Sequence, residues 1–260
     1  MTRAAAQDVA VGTEAIVLRR ISYGETDLVL HFATRELGRV ACFARAAKRS
    51  RRRFPSGFPS FALLEIHVAP ARRADALRPL LDALVLEPHV AVAQELPRFA
   101  AAGLIVELAR ETLLEEQAEP AAFEAVASYL AELDARPFGW AGLLAAELRL
   151  LAPLGLAPRL GRCLSCDTPA PPRKAACFDV ARGGIICRKC GGAERTIAGD
   201  ARELMLAALP SSAPDAAGEL AIVEADAASL HDAHRTMLAF LEHHLGRRFR
   251  SARLLEEVTG

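Results

Sequence analysis

The stretch E-A-I-V-L-R-R-I-S-Y-G-E-T-D-L-V-L-H-F-A-T-R-E-L-G-R-V-A-C-F-A-R-A, Glu14 to Ala46, decides the fold. Glu14–Ile21 reads as a strand, Tyr23–Thr26 (Y-G-E-T) as a turn, and Asp27–Thr34 alternates as a second strand. Arg35–Gly38 is another turn, and Arg39–Ala46 alternates as a third strand. Working outward, a basic loop with Pro55, Gly57 and Pro59 leads into a fourth strand, Ser60–Val68, with Leu77–Leu86 a candidate fifth. Four or five short strands joined by turns within about eighty residues predict a small closed barrel.

The pattern changes near Pro88. In Pro97–Leu114 the apolar residues Phe99, Leu104, Ile105, Leu108 and Leu113 recur at helical spacing. Pro120 opens a second helix through Phe123, Val126, Tyr129, Leu130 and Leu133. Gly139–Leu151 is a third, ended by Pro153 and Gly155. A cysteine segment follows, then helix at Ala201–Leu209, a linker P-S-S-A-P-D (Pro210–Asp215), and a final long helix at Ser229–Leu245. The boundaries expected are a barrel over 1–82, helix over 83–158, the cysteine motif over 159–195 and helix again over 196–260.

The segment C-L-S-C (Cys163–Cys166) is answered by C-R-K-C (Cys187–Cys190), a Cys-x2-Cys-x20-Cys-x2-Cys spacing. Each Cys-x-x-Cys turn directs two thiolates at one point, and two turns complete a tetrahedron around Zn(II). Gly183, Gly184, Gly191 and Gly192 supply the backbone freedom such knuckles need. Four thiolates leave no place for a water, so the expected cofactor is structural Zn(II) bound by Cys163, Cys166, Cys187 and Cys190. A redox pair is the competing reading, but one Cys-x-x-Cys would serve that purpose. Cys177 and Cys42 stand at no ligand spacing and read as small buried apolar residues.

The chain's 32 basic and 32 acidic residues cancel, yet they are segregated. Residues 1–80 hold 14 basic against 7 acidic side chains, while 81–157 hold 4 against 12. Between Arg39 and Arg53 every charge is positive: Arg39, Arg45, Lys48, Arg49, Arg51, Arg52 and Arg53. Such density favours a phosphate backbone, which releases counterions when neutralised. The bland alternatives are a solvated loop or a docking surface for an acidic protein. Phe43, Phe54, Phe58 and Phe61 lie nearby in sequence, but strand alternation already accounts for Phe43 and Phe61 as core. Arg247, Arg248, Arg250 and Arg253 make a second cationic patch near the end of the chain.

Other chemistry is not in view. His231 and His234 stand one helical turn apart without a third ligand, so core or surface roles fit them better. No phosphate-loop glycine motif, no G-x-S-x-G elbow and no paired-carboxylate constellation is present, and an enzyme is not expected. No signal-peptide-length block opens the chain and no apolar run reaches the length of a membrane span, so a cytoplasmic location is expected.

The order of features resembles the RecO family of bacterial recombination mediators over nearly the full length. The likeness rests on Ala15–Val40, on A-E-L-R-L-L-A-P-L-G-L-A-P-R-L-G-R-C-L-S-C (Ala146–Cys166), on G-G-I-I-C-R-K-C (Gly183–Cys190), and on F-L-E-H-H-L-G-R-R-F-R-S-A-R-L-L (Phe240–Leu255). One departure lies before the basic loop, where A-R-A-A-K-R (Ala44–Arg49) offers alanine in place of the family's usual glycine. The resemblance implies an α+β, multidomain chain: an N-terminal oligonucleotide-binding (OB) barrel, then an α-helical domain carrying the four-cysteine zinc motif. It implies binding of single- and double-stranded DNA and annealing of complementary strands. It further implies a place in the RecF pathway, in which RecR cooperates to load RecA onto DNA coated by single-strand-binding protein. A zinc-ribbon adaptor that binds only protein is the alternative. A zinc deaminase would need an open metal position and a general-base glutamate beside its ligands, and neither is in the motif.

Overall fold

The computed structural model describes residues 10–71, 73, 76–209 and 226–259. The expected linker Pro210–Asp215 lies outside the described residues. Two compact units are present: one is the chain up to Glu95 together with Val106–Ala135, the other Leu96–Ile105 together with the chain from Arg136 onward.

Five strands form a closed barrel: β1 (Val11–Tyr23), β2 (Asp27–Thr34), β3 (Gly38–Ala44), β4 (Leu63–Val68) and β5 (Arg78–Glu87), in the order β1-β2-β3-β5-β4. All pairs are antiparallel except β3 with β5. β1 serves two neighbours. Its first half pairs with β4, its second half pairs with β2, and an irregularity between Val17 and Arg19 lets it turn from one to the other. The alternation read from sequence is the barrel's inside and outside: Leu30, Phe32, Val40, Cys42, Leu64, Ile66 and Val68 are fully buried. Burial pushes the Cys42 thiol up to about 12, which fits the apolar role expected of it.

Three details differ from the sequence reading. β1 continues through Tyr23, so the turn is Gly24–Thr26, with the reversal carried by Gly24 at φ 59°. β4 begins only at Leu63, because Phe61 adopts a left-handed backbone (φ 66°). β5 runs to Glu87, past the expected edge at 82, and the helix that follows Pro120 groups with the barrel. Gly38 is doubly constrained. Its φ is 71°, and a Cβ there would stand 2.0 Å from the Gln117 carbonyl oxygen.

The helices follow the expected order: α1 (Leu96–Thr112), α2 (Pro120–Ala135) and α3 (Trp140–Leu151), then α4 (Gly199–Ala208) and α5 (Ala227–Leu245). On α1 the residues Leu104, Ile105 and Leu108 are buried as the spacing predicts, while Phe99 is 40% exposed. α2 lies on the barrel unit, where Arg35 pairs with Glu124 at 2.8 Å and covers the Phe123 ring at 5.0 Å. Asp226 caps α5 by accepting the Ser229 N–H at 2.9 Å. Two features were not read from sequence. The cysteine segment contains a small sheet, β6 (Ala176–Asp179), β7 (Gly184–Ile186) and β8 (Arg195–Ile197), in the order β7-β6-β8. Gly246, at φ 63°, ends α5, and a separate helix α6 (Arg250–Thr259) follows, beyond the final helix Ser229–Leu245 expected from sequence. Among the described residues no helix is long and apolar enough to cross a membrane.

Candidate nucleic-acid interface and metal centre

The basic loop leaves β3 at Ala44 and is pinned at its base by the β1–β2 turn. Ala46 donates its N–H to Asp27 Oδ1 at 2.7 Å, and Lys48 donates its N–H to the Thr26 carbonyl at 2.9 Å. Hydrogen bonds hold Asp27 below the usual carboxylate range: first the Ala46 N–H, then the Thr26 hydroxyl, with smaller help from the charges of Arg45 and Lys48. Ala46 itself is left-handed, at φ 54°, within the segment that departs from the family's glycine. Further along, the Phe54 and Phe58 rings plug the barrel core, 5.2 Å apart.

The seven cations expected to bind DNA divide into three kinds. Arg45, Lys48, Arg49, Arg51 and Arg52 are exposed, and none forms a salt bridge among the described residues. Arg53 is a brace: its guanidinium lies 5.0 Å over Phe54 and donates to Ser50 Oγ and to the Arg45 carbonyl. Arg39 does not join the group. It sits six residues back along β3, roughly 20 Å of strand away, and donates to the Arg110 carbonyl at 2.9 Å. A fresh member appears in its stead. Arg20, on β1, lines a cleft of about 180 Å³ with Lys48, Arg49 and Arg51, over a floor of Leu28, Phe54 and Phe58. The register Arg20↔Leu30 explains its place, but nothing in local sequence links Arg20 to residues almost thirty positions on.

Phe43 departs from its expected core role. Its partner in register is Val29, on the face opposite the buried Leu28, Leu30 and Cys42, and it is half-buried. Phe61, by contrast, is buried as expected.

In the other unit, the Sγ atoms of Cys163, Cys166, Cys187 and Cys190 lie within 4.8 Å of one another. The Cys166 and Cys187 sulfurs are 3.7 Å apart, close to the ~3.8 Å edge of a tetrahedron with 2.3 Å zinc–sulfur bonds. The second knuckle is a short 3-10 turn, Arg188–Cys190, released by Gly191 at φ 103°. Cys163 Sγ accepts the N–H groups of Ser165 and Cys187. Backbone donors, that of Cys187 first, lower the Cys163 thiol to about 6. Cys190 is raised to about 12 by its hydrogen bonds with Cys187 and Cys166. Donor type, number and spacing therefore fit a divalent cation that prefers sulfur. Cys177 is half-buried on β6 and outside the cluster.

Comparisons with known proteins bear on this arrangement. The family model described as "Recombination protein O N terminal" matches residues 9–89, and "Recombination protein O C terminal" matches 93–253. The chain is 38% identical over 248 residues to the DNA repair protein RecO of Anaeromyxobacter dehalogenans strain 2CP-C, covering 94% of each chain. It is 33% identical over 252 residues to that of Myxococcus xanthus, covering 94% of this chain and 96% of the relative. The chain belongs to the RecO family.

Within this RecO chain, the last cationic patch becomes a concavity. Arg195, Arg235, Arg248, Arg250 and Arg253 line a hollow of about 590 Å³ together with Glu242 and Glu256. Sequence reading reached Arg248, Arg250 and Arg253 but not Arg195 or Arg235, which approach from β8 and α5. Arg202 is one of the buried polar residues of this unit. It is 1% exposed and donates to the carbonyls of Leu160, Pro171 and Lys174.

Proposed function

We propose that this chain is a non-catalytic DNA repair and recombination mediator. It binds single- and double-stranded DNA through its basic loop and anneals complementary strands. With RecR, it helps load RecA onto DNA covered by single-strand-binding protein, in the cytoplasm at the nucleoid. One observation carries the reading: five exposed cations, Arg45, Lys48, Arg49, Arg51 and Arg52, without salt bridges among the described residues, on one loop of a closed OB-like barrel. Long flexible cations meet phosphates without reading bases, so binding of this kind is electrostatic and indifferent to sequence. Family membership supports the recombination role, and the relatives are named DNA repair proteins.

The cysteines complete this reading without adding chemistry. Cys163, Cys166, Cys187 and Cys190 would hold Zn(II), which when bound cross-links two loops and has no open position for a substrate. The residues of β6–β8 and Arg202 then keep those loops in register with α4.

The deciding experiment is annealing of complementary strands coated with single-strand-binding protein, with and without the full chain. Acceleration by wild type that is lost when Arg49, Arg51 and Arg52 become alanine supports the reading. Acceleration that persists in that variant removes the loop from the mechanism, and no acceleration at all favours an adaptor that binds protein alone.

A further inference from the structure

The outer face of the β1–β2–β3 sheet carries an aromatic pair that the barrel core does not use. Directly opposite residues share a face, so Ile21, Val29 and Phe43 form one outward row, and Tyr23 stands at the end of the same face of β1. Tyr23 is 62% exposed and Ile21 36%. The Tyr23 ring meets Phe43 edge-on, with centroids 5.6 Å apart at 84°. One aromatic thus holds the other upright, and a large ring is left facing solvent on a β-strand where a polar residue would cost nothing.

The charges around the pair are predominantly positive. Arg19 lies in the next outward row, opposite His31. On the other side come Asp27 and then the loop cations, with Arg45 and Lys48 close enough to act on the Asp27 carboxylate. Asp27 is itself occupied by the Ala46 N–H and the Thr26 hydroxyl. Glu25 stands at the tip of the turn, Glu115 lies close enough to act on His31, and Glu116 is taken up by Arg78. A flat apolar surface between two sets of cations matches the alternation of base and phosphate along an unpaired strand. A duplex, whose bases are stacked inside, has nothing to place there.

We infer that Tyr23 and Phe43 form a base-stacking subsite that makes this surface prefer single-stranded DNA over duplex. The inference rests on the proposed DNA-binding role of the adjoining loop. It adds a contact to bases where that reading has contacts to phosphates only, and the two are separable by experiment.

The test compares two probes at fixed salt, a dT oligomer and an abasic deoxyribose-phosphate strand of the same length and charge. The full chain is used throughout, with thermal midpoints checked for every variant. Wild type should hold the dT strand about tenfold more tightly than the abasic strand. Tyr23→Leu combined with Phe43→Leu should bring the two affinities within about twofold while leaving abasic binding and the salt slope as in wild type. Tyr23→Phe, which keeps the ring, should keep the gap. The inference is overturned if wild type shows no gap, if the double variant keeps it, or if both strands weaken together. Failure of the phosphate reading looks different: the abasic strand would then bind the Arg49, Arg51 and Arg52 alanine variant as well as wild type.

Discussion

His234 on α5 and Glu147 on α3 form an ion pair at 2.9 Å, with side chains 0% and 1% exposed. Nδ1 faces the carboxylate, Nε2 is buried without a hydrogen-bond partner among the described residues, and the Trp140 ring covers the imidazole at 5.1 Å. Burial by itself would lower the His234 pKa, but the Glu147 carboxylate, with a smaller contribution from Glu256, outweighs it and the net direction is upward. A folded-state pKa above the unfolded value of 6.5 stabilises the protein fully below that pH and ceases to do so as pH rises through the folded value. The α3–α5 packing should therefore be firmest in mildly acidic solution. Urea midpoints measured across pH 5 to 9 should fall on the alkaline side in wild type, and His234→Leu should flatten that fall. A wild-type profile that rises with pH over the same span contradicts the assignment.

Replacing Arg49, Arg51 and Arg52 with alanine removes three exposed cations from a loop whose backbone is held by other groups. The slope of log K against log salt for single-stranded DNA should drop by about two, at ~0.7 for each phosphate that is no longer neutralised. Arg39→Ala should leave the slope unchanged, since its guanidinium is committed to the Arg110 carbonyl, and should instead lower the thermal midpoint. Binding titrations at four salt concentrations distinguish the two variants.

The barrel is legible from Glu14–Ala46 because each strand buries one face and its side chains alternate accordingly. The four cysteines are legible because metal geometry dictates their spacing. What escapes is of two kinds. The β6–β8 strands have only 4, 3 and 3 residues, too short for periodicity to register. Arg20, Arg195, Arg235 and Tyr23 reach their sites through tertiary register and not through neighbours in sequence. Phe43 reads as core because an aromatic in an alternating strand points inward more often than outward. The pairing with Val29 decides its side, and pairing is not written in one strand alone.

Cation removal by a strong chelator, or Cys190→Ser, should unfold the cysteine lobe and spare the barrel, whose core is built from its own strands. Purified protein should contain about one zinc per chain. Hydrogen exchange should then show loss of protection across β6, β7 and β8 while β2 and β3 keep theirs. Equal loss in both regions would falsify this independence.

Arg202 stitches three loop carbonyls to α4, and Glu203 Oε1 receives a further bond at 2.8 Å. Arg202→Met fills the volume but takes from the Leu160 and Lys174 carbonyls their guanidinium donor, while Pro171 keeps only the Lys174 N–H at 3.4 Å. Unsatisfied buried acceptors cost about 1–3 kcal/mol each, so a loss of about 3 kcal/mol in unfolding free energy is expected. Arg202→Lys should recover only part of it, because an ammonium on a flexible stem cannot reproduce the planar fork. A Met variant within about 0.5 kcal/mol of wild type, the scatter of inert surface changes, would exclude the stitching role.

Ala46 offers a stabilising change at the entrance to the basic loop. Its φ of 54° brings Cβ against its own carbonyl oxygen, a conflict worth about 1–2 kcal/mol for residues with a Cβ. Glycine removes the conflict but enlarges the unfolded ensemble, which offsets about 0.4–1 kcal/mol. Ala46→Gly should therefore raise stability by about 1 kcal/mol and leave the N–H bond to Asp27 in place. Because no cation moves, affinity for DNA and its salt slope should match wild type. A gain in urea midpoint with unchanged binding is the expected result; a loss of stability would mean that the loop entrance relaxes away from the left-handed geometry in solution.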